Sequence, residues 1–223
     1  MSRVGATEAP RRRAARPVDK FDERRAQLAE SALQTLGSLG YARTSLREIA
    51  NNSPFSHGVV HYYFQDKLEL VVYSVRYYKA RCVTRYDGVV ADSTSAAELV
   101  DRFADRLAET IRDEAPMHRL WYDLRTQSMF ETSLREAVTQ IDATLQDMIW
   151  RVVSRYAELA GRTPSLPSAV VYGMLDGLFQ QALLAYGDDP EQTLAALVTQ
   201  VHAVMPTFLG GPVQAAAGAR PTV

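Results

Sequence analysis

Hydrophobic positions recur every three to four residues along most of this chain, a spacing typical of amphipathic helices. A first stripe lies between residues 22 and 36 and ends near Gly37 and Gly40, both of which favour a helix end. Further helices are predicted at residues 68–91, 96–113, 116–130, 133–160, 167–186 and 190–208. Turn-forming residues or helix-starting prolines separate these segments, and none alternates with the two-residue period of a strand. We therefore predict an all-α protein.

Residues 44–67 predict two short helices joined by a tight turn. Ser45 and Glu48 have capping-box spacing at the start of the first helix, and Pro54 interrupts the chain after it. Ser56 can cap the second helix, whose Val60 and Phe64 lie one turn apart on its inner face. Its outer face then carries His57, Gly58, Val59, His61 and Tyr62. These features indicate a helix-turn-helix whose second helix enters a DNA groove.

The segment from about residue 21 to residue 70 resembles the DNA-binding domain of the TetR family of transcriptional regulators. The motifs that carry the resemblance are Gly40-Tyr41, Thr44-Ser45, Ile49-Ala50, Ser56-x-Gly58, His61-Tyr62-Tyr63-Phe64 and Lys67-x-x-Leu70, in that order. The chain departs from the family pattern in the turn, where Ser53-Pro54 replaces the usual Ala-Gly, and at His61, where a Tyr is common. The resemblance implies an N-terminal three-helix helix-turn-helix domain followed by a larger helical ligand-binding and dimerisation domain.

The chain is predicted to divide into a basic disordered arm (1–20), a helix-turn-helix domain (21–67), a helical effector-binding and dimerisation domain (68–210) and a flexible tail (211–223). The formal net charge of −1 is unevenly distributed. Six basic and two acidic residues give the arm a charge of +4, the helix-turn-helix segment is neutral, and the remainder carries −5. We expect the arm to follow DNA phosphates or to enter a minor groove. The alternative is a tail that only aids solubility.

Within the recognition helix, we expect His57, Gly58 and Val59 to contact base edges, with the Val59 methyl groups against thymine. Phosphate contacts are predicted for Thr44, Ser45, Ser56, His61, Tyr62 and Lys67. One short helix contacts few base pairs, so a homodimer reading an inverted-repeat operator in double-stranded DNA is expected.

The last two predicted helices each carry a hydrophobic stripe, and the family resemblance implies that they form a four-helix bundle between two subunits. The predicted interface residues are Val171, Met174, Leu178, Ala182, Leu194, Leu197, Val201 and Met205. Gly173 and Gly177 lie on an adjacent face and permit close backbone approach. The alternative is that both stripes fill the core of a single chain.

The middle helices contain large apolar side chains with a few polar groups, a composition found in small-molecule pockets. The candidate pocket residues are Trp121, Tyr122, Arg125, Met129, Met148, Met174, Phe179 and Gln180. Arg125 could pair with an anionic ligand or with nearby Asp123 or Glu131. Ordinary core packing explains the same residues equally well. The resemblance implies an unidentified effector that displaces the helix beginning near Leu68 and so changes the spacing of the recognition helices.

The remaining observations limit the function. Cys82, the only cysteine, excludes an intrachain disulfide, favours a cytoplasmic protein and is interpreted as a small apolar helix residue. Residues 192–219 lack charged side chains but are too polar and too interrupted by Pro and Gly to span a membrane. His57 and His61 have the spacing of a shared metal site but no further ligand nearby, so no metal or cofactor is predicted.

No phosphate loop, nucleophile pair or metalloprotease motif is found, so the chain is not expected to be an enzyme. The predicted function is a DNA-binding transcriptional regulator, most simply a repressor that a small-molecule effector releases from a palindromic operator. A dimeric helical adaptor, or an activator without small-molecule induction, is the alternative.

Overall fold

The computed structural model describes residues 17–212 of the chain, and within them the fold is helical, as predicted. The helices are α1 (Pro17–Leu39), α2 (Leu46–Asn51), α3 (His57–Tyr63), α4 (Lys67–Cys82), α5 (Asp87–Asp92), α6 (Ala96–Gln127), α7 (Thr132–Leu159), α8 (Ser168–Ala185) and α9 (Pro190–Val204). A short 3₁₀ helix follows at Met205–Phe208. None of these helices is long and apolar enough to cross a membrane.

The first three helices pack around one apolar cluster that continues into α4 and α6. Helix α1 is longer at both ends than the predicted 22–36. It begins at Pro17, a residue that suits the first helical turn, and it continues through Gly37 to Leu39. The next residue, Gly40, has a φ of +76° and ends the helix. Gly37 serves another purpose: a Cβ there would lie 2.3 Å from Cε of Met117. Its hydrogen therefore lets α1 approach α6 closely.

The segment predicted as one helix from residue 68 to residue 91 is broken. Helix α4 ends at Cys82, and residues 83–86 form turns before α5. The sequence has no helix breaker here, and the break is explained by tertiary contacts: Arg85 pairs with Glu114, and the buried Tyr86 ring packs 5.0 Å from that of Phe103. These contacts outweigh local helix propensity.

Helix α6 runs through the two segments predicted at 96–113 and 116–130, with a kink where Glu114 leaves helical geometry two residues before Pro116. The proline removes one backbone donor and crowds the preceding turn, which explains the kink. As a result α6 reaches from the α9 side of the molecule to the helix-turn-helix.

Two short strands, β1 (Arg162–Pro164) and β2 (Leu209–Pro212), pair antiparallel and were not predicted. Strands of three and four residues are too short to show a period in the sequence. The backbone N–H of Ser165 donates to the carbonyl of Phe208, and Arg162 Nε donates to the carbonyl of Gly210 at 2.6 Å. Residues 211 and 212, predicted to begin the tail, thus belong to β2. The rest of the predicted tail (213–223) and the predicted arm up to residue 16 lie outside the described residues.

Candidate nucleic-acid interface and ligand cavity

The helix-turn-helix is built from the caps that the sequence predicted. Ser45 and Glu48 form a reciprocal capping box at the start of α2, and Ser56 accepts from the backbone N–H of Val59 at the start of α3. Val60 and Phe64 are buried, as their spacing predicted. The caps and buried positions fix which side of α3 faces outward.

The outward side of α3 carries most of the predicted DNA contacts. His57, Gly58 and His61 are exposed, Val59 is half-buried, and Tyr62 is 75% exposed. A Cβ built on Gly58 would meet nothing within 4 Å, so the backbone there is open to a ligand. The His57 and His61 rings stack edge to face at 4.4 Å and thereby extend one polar surface along the helix. The cap residues Ser45 and Ser56 border this surface and are also exposed.

Two of the predicted phosphate contacts are placed differently. Thr44 is only 3% exposed, and its hydroxyl donates to the carbonyl of Gly40 at 2.8 Å. Its side chain therefore stabilises the α1–α2 turn and has almost no surface for a phosphate. Lys67 Nζ donates to the carbonyl of Tyr41 at 2.5 Å and lies 3.9 Å from the Tyr41 ring centroid. Partial burial lowers the Lys67 pKa, but two ammonium protons remain available.

Two exposed cations beside this face were missed by the sequence analysis. Arg43 lies in the α1–α2 turn and Arg47 on the outer side of α2. Arginine forks bind phosphate well, and an exposed arginine next to the capping box was the available signal. Both add positive charge to the exposed surface of the helix-turn-helix.

A second feature is a cavity between α4, α6, α7 and α8. It is lined by Lys79, Cys82, Arg85, Tyr86, Leu107, Thr110, His118, Trp121, Tyr122, Leu145, Met148, Ile149, Tyr172, Leu175, Asp176 and Phe179. The centres of water-sized molecules can occupy about 70 Å³ of it. Cys82, interpreted from the sequence as a small apolar residue, is buried at its edge, with Sγ 3.5 Å from the carbonyl oxygen of Tyr78.

The predicted pocket residues fall into three groups. Trp121, Tyr122, Met148 and Phe179 line the cavity. Arg125, Met129 and Gln180 line an outer cleft that shares Tyr122, Tyr172 and Asp176 with it. Met174 lines neither and lies partly exposed on α8. The cavity residues from α4 were missed, although Lys79 lies four residues after buried Val75 and interrupts an apolar stripe, which was a readable signal.

A hydrogen-bonded network separates the cavity from the outer cleft. Arg125 binds Asp176 at 2.6 Å and Asp142 at 3.4 Å, rather than the predicted Asp123 or Glu131. The Tyr122 hydroxyl donates to Asp176 at 2.8 Å, and that of Tyr172 to Asp142 at 2.6 Å. Burial and the neighbouring carboxylates raise both tyrosine pKa values, so both hydroxyls remain protonated donors. This network ties α6, α7 and α8 together.

A second network lies at the opposite side of the cavity, where α4 meets α6. Glu114 pairs with Arg85 and accepts from the Tyr78 hydroxyl at 2.6 Å. Burial, followed by the charges of Lys79 and Arg85, lowers the pKa of His118 well below its ordinary value. His118 is therefore neutral at pH 7, and its 3.9 Å approach to Glu114 is no ion pair.

The stripes of α8 and α9 that were predicted as a dimer interface mostly face the chain's own core. Leu178 is half-buried and Met174 partly exposed, whereas Val171, Ala182, Leu194, Leu197, Val201 and Met205 are buried within the single chain. A buried side chain has no surface left for a partner. The outward side of α8 instead carries Val170, Gly173, Met174, Gly177 and Leu184.

Between residues 17 and 212, no three or more His, Cys, Asp or Glu side chains are grouped so as to hold a metal ion. His57 and His61 thus form a pair of exposed rings without a third ligand in the part of the chain that the structure describes.

Residues 28–73 match the family model described as "Bacterial regulatory proteins, tetR family". The HTH-type transcriptional regulator BetI of Burkholderia mallei is 27% identical over 181 residues, covering 78% of this chain and 88% of the relative. A TetR transcription regulator from Haloarcula marismortui has the same fold, with a TM-score of 0.69 at 19% identity, and covers 85% of this chain and 100% of its own.

A transcriptional regulator from Saccharomonospora viridis in complex with choline also shares the fold, with a TM-score of 0.69 at 15% identity over 84% of this chain and 98% of its own. These relatives are transcriptional regulators and not enzymes, in agreement with the prediction from the sequence. The matched segment holds the capped α2 and α3, and the helices beyond it follow the same fold. Residues 28–73 therefore belong to the TetR family of DNA-binding transcriptional regulators, and the chain as a whole shares the fold of that family.

Proposed function

We propose that this chain is a ligand-responsive repressor that binds an inverted-repeat operator as a homodimer and is released from it by a small molecule in the α4–α8 cavity. In this proposal residues 21–67 bind DNA, and residues 68–210 bind the effector and form the dimer. The observation that carries it is that α4 and α6 each join the DNA-binding helices to the cavity.

Helix α4 begins at Lys67, whose ammonium group binds the carbonyl of Tyr41 beside the helix-turn-helix, and ends with Lys79 and Cys82 in the cavity lining. A displacement of its last turn by a ligand would therefore move the start of the same rigid helix. This is the route that the family resemblance implied.

Helix α6 supplies a second route that the sequence did not indicate. Trp121 and Tyr122 line the cavity, while the next residue, Asp123, accepts a hydrogen bond from the backbone N–H of Tyr41 at 2.7 Å. Beyond the end of α6, Glu131 accepts from the Tyr41 hydroxyl at 3.0 Å. A ligand that pushes on Trp121 or Tyr122 therefore acts one residue away from an anchor of the α1–α2 turn.

The outward side of α8 supports the homodimer. Val170, Met174 and Leu184 are large apolar side chains exposed on one helix, and Gly173 and Gly177 have open space where a Cβ would lie. The outward side of α9 adds small or uncharged residues, namely Ala195, Ala196, Thr199, Gln200 and Ala203. Apart from Glu191 and His202 on α9, the exposed side chains of the two helices are uncharged and partly apolar, a composition that suits packing against a second copy of the chain. We assign the interface to these residues.

Ligand release requires a difference in affinity between two states. A nearly complete switch, from 1:99 to 99:1, needs an effector that binds the DNA-incompetent state more tightly by about 5.5 kcal/mol. Rotation of α4 and α6 would change the distance between two recognition helices, which must match a DNA repeat of about 34–36 Å.

The test is a selection of genomic DNA fragments with the purified protein, followed by titration of the recovered DNA at two salt concentrations. We expect an inverted repeat whose binding has a steep salt dependence and is weakened about 10-fold or more by His57→Ala, the loss of about one base contact. Asp147→Ala, which removes an exposed polar side chain of α7 outside both the recognition helix and the proposed dimer face, is the control. If the protein bound no DNA, specific or random, at low salt, the adaptor alternative would replace this proposal.

Dimerisation has its own test in the oligomeric state measured by sedimentation. Leu184 is 78% exposed, and Leu184→Asp should shift the protein toward monomer because it places a charge in the proposed interface. Phe130→Asp alters an equally exposed apolar residue outside this face and should leave the dimer intact. A dimer that tolerated Leu184→Asp and Gly177→Arg alike would refute the assignment.

A further inference from the structure

The cavity contains a buried cation without a partner. The Lys79 side chain is 3% exposed and lines the cavity, and its Nζ has neither an ion pair nor a hydrogen bond among the described residues. Its polar surroundings are the faces of two aromatic rings, with Nζ 4.9 Å from the ring centroid of Trp121 and 5.5 Å from that of Tyr78. Buried lysines without a carboxylate are rare because removing the charge from water is costly.

A second donor in the same cavity is also unpartnered. The indole Nε1 of Trp121 is buried and has no acceptor among the described residues, and the residue is only 2% exposed. Buried indole N–H groups are usually hydrogen-bonded, so an unmet one in a cavity lining points to a ligand that supplies the acceptor. The Lys79 Nζ lies 4.9 Å from the centroid of the Trp121 ring, and both residues line the same cavity.

The nearby carboxylates are already engaged. Glu114 is held by Arg85 and the Tyr78 hydroxyl, and Asp176 by Arg125 and the Tyr122 hydroxyl. Neither carboxylate lies within ion-pair distance of Lys79. The positive charge of Lys79 is therefore the one that an anionic ligand would meet.

The rest of the lining is mostly apolar and aromatic. Leu107, Leu145, Met148, Ile149, Leu175 and Phe179 supply apolar surface. At roughly 10–15 Å³ of centre space for each water molecule, the cavity holds about five waters, or about 150 Å³ of liquid. This limits a ligand in the present arrangement to roughly ten non-hydrogen atoms.

We propose that the cavity binds a small monocarboxylate with an apolar or aromatic body, whose carboxylate accepts from the Lys79 ammonium and the Trp121 indole N–H. The proposal rests on the proposed function only in that this cavity is taken as the effector site. A quaternary ammonium ligand such as choline could use the aromatic rings, but it would lie beside an uncompensated lysine charge. The lysine therefore selects against cations as well as for anions.

The charged and titratable groups around Lys79 are Tyr78 and Cys82 on α4, Arg85 and Tyr86 in the following turn, Glu114, His118 and Tyr122 on α6, and Tyr172 and Asp176 on α8. The part of α7 that faces the cavity contributes only Leu145, Met148 and Ile149. His118 is neutral, and Glu114 and Asp176 are each paired with an arginine. Lys79 is therefore the group whose charge a bound carboxylate would balance.

The experiment is isothermal titration of the purified full-length protein with benzoate, its neutral isostere benzamide, and choline, at pH 7. Four proteins are compared: wild type, Lys79→Met, Trp121→Phe, and Lys20→Met, which makes the same change as Lys79→Met at an exposed lysine of α1. Trp121→Phe removes the indole N–H and keeps an aromatic ring. Helical circular dichroism and thermal unfolding without added probe verify that each variant is folded.

We expect wild type and Lys20→Met to bind benzoate at least about 10-fold more tightly than benzamide, and choline not at all, since a charge-assisted hydrogen bond accounts for about 10- to 100-fold in affinity. Lys79→Met should lose that preference, and Trp121→Phe should lose part of it. Equal binding of benzoate and benzamide, tighter binding of choline, no binding of any probe, or an unchanged preference in Lys79→Met would each overturn the proposal.

Release of the operator is measured separately with the same probes. Lys79-dependent benzoate binding that leaves operator affinity unchanged would support the carboxylate site and refute ligand-responsive repression. Release by choline or benzamide in both wild type and Lys79→Met would support the regulatory proposal and refute the carboxylate site. The two proposals can therefore fail independently.

Discussion

Replacing Lys79 by methionine should stabilise the unliganded protein. Methionine has a similar length, is apolar and cannot titrate, so it fills the same space without a buried charge. Burial is the main cause that lowers the Lys79 pKa from 10.5 to about 8, against smaller opposing charges such as that of Asp176. At 1.36 kcal/mol for each pH unit by which the pKa is lowered, this corresponds to about 3 kcal/mol of destabilisation by the protonated lysine.

The attraction between Lys79 and the Trp121 ring offsets part of this cost. A desolvated cation–π contact contributes up to about 2 kcal/mol, which the substitution would remove. Desolvation of the ammonium group outweighs this attraction, so the net gain expected for Lys79→Met at pH 7 is about 1–3 kcal/mol. A stabilising effect from deleting a conspicuous cation would be difficult to explain if Lys79 had a structural partner.

The gain should depend on pH in a definite direction. Below pH 8 the lysine is protonated in both the folded and the unfolded protein, and the destabilisation is complete. Between pH 8 and 10.5 the folded state releases the proton first, so wild-type stability rises relative to Lys79→Met. The difference between the two proteins should therefore shrink across this window.

Urea unfolding at a fixed protein concentration, repeated at pH 7, 8, 9 and 10, measures this difference. Lys20→Met should match wild type at every pH, because Lys20 is exposed. If Lys79→Met were less stable than wild type at pH 7, or if the difference were the same at every pH, Lys79 would not be an unpartnered buried cation, and the argument for the carboxylate site would lose its basis.

Three further predictions follow from the same contacts. Benzoate binding near pH 9 should take up close to one proton onto Lys79, and almost none at pH 6.5, which titration in two buffers of different ionisation enthalpy will measure; no uptake at pH 9 would contradict the carboxylate contact. Gly37→Val should lower the free energy of unfolding by about 1–3 kcal/mol, because its methyl groups would crowd Pro116, whose Cβ lies 3.4 Å from the position of a Cβ at residue 37, in addition to displacing the end of the Met117 side chain; a neutral result in urea unfolding would show that α1 and α6 can separate freely. Asp123→Asn should cost about 1–2 kcal/mol in the same assay by weakening the bond to the Tyr41 N–H, and it should also weaken the effect of benzoate on operator affinity; full coupling in the variant would leave α4 as the sole route.

The helix-turn-helix was predictable because its signals are local. The capping box of Ser45 and Glu48, the cap at Ser56 and the one-turn spacing of Val60 and Phe64 act within a few residues, so the sequence alone determines them. The same locality explains the error at Thr44. Its hydroxyl could serve a phosphate or a backbone carbonyl, and only the fold brings the carbonyl of Gly40 within 2.8 Å.

The cavity was predictable only in part because it depends on distant contacts. The sequence identified four of the lining residues as large side chains on helices, namely Trp121, Tyr122, Met148 and Phe179. The residues that face them from α4 and the following turn lie between 79 and 86, far earlier in the chain. That turn places Arg85 against Glu114, and no local pattern predicts the pairing. For the same reason, the Arg125 partners on α7 and α8 were not foreseen.

The dimer face was misassigned on α8 for a different physical reason. A hydrophobic stripe shows that one side of a helix is removed from water, but it does not show whether the same chain or a second copy covers it. On α8 both sides are apolar, with Val171 and Leu175 covered by the core and Val170 and Leu184 exposed. A helix that is apolar on two sides requires two partners, and a single chain supplies only one. The exposed apolar side of α8, rather than the buried stripe, is thus the stronger argument for the proposed dimer.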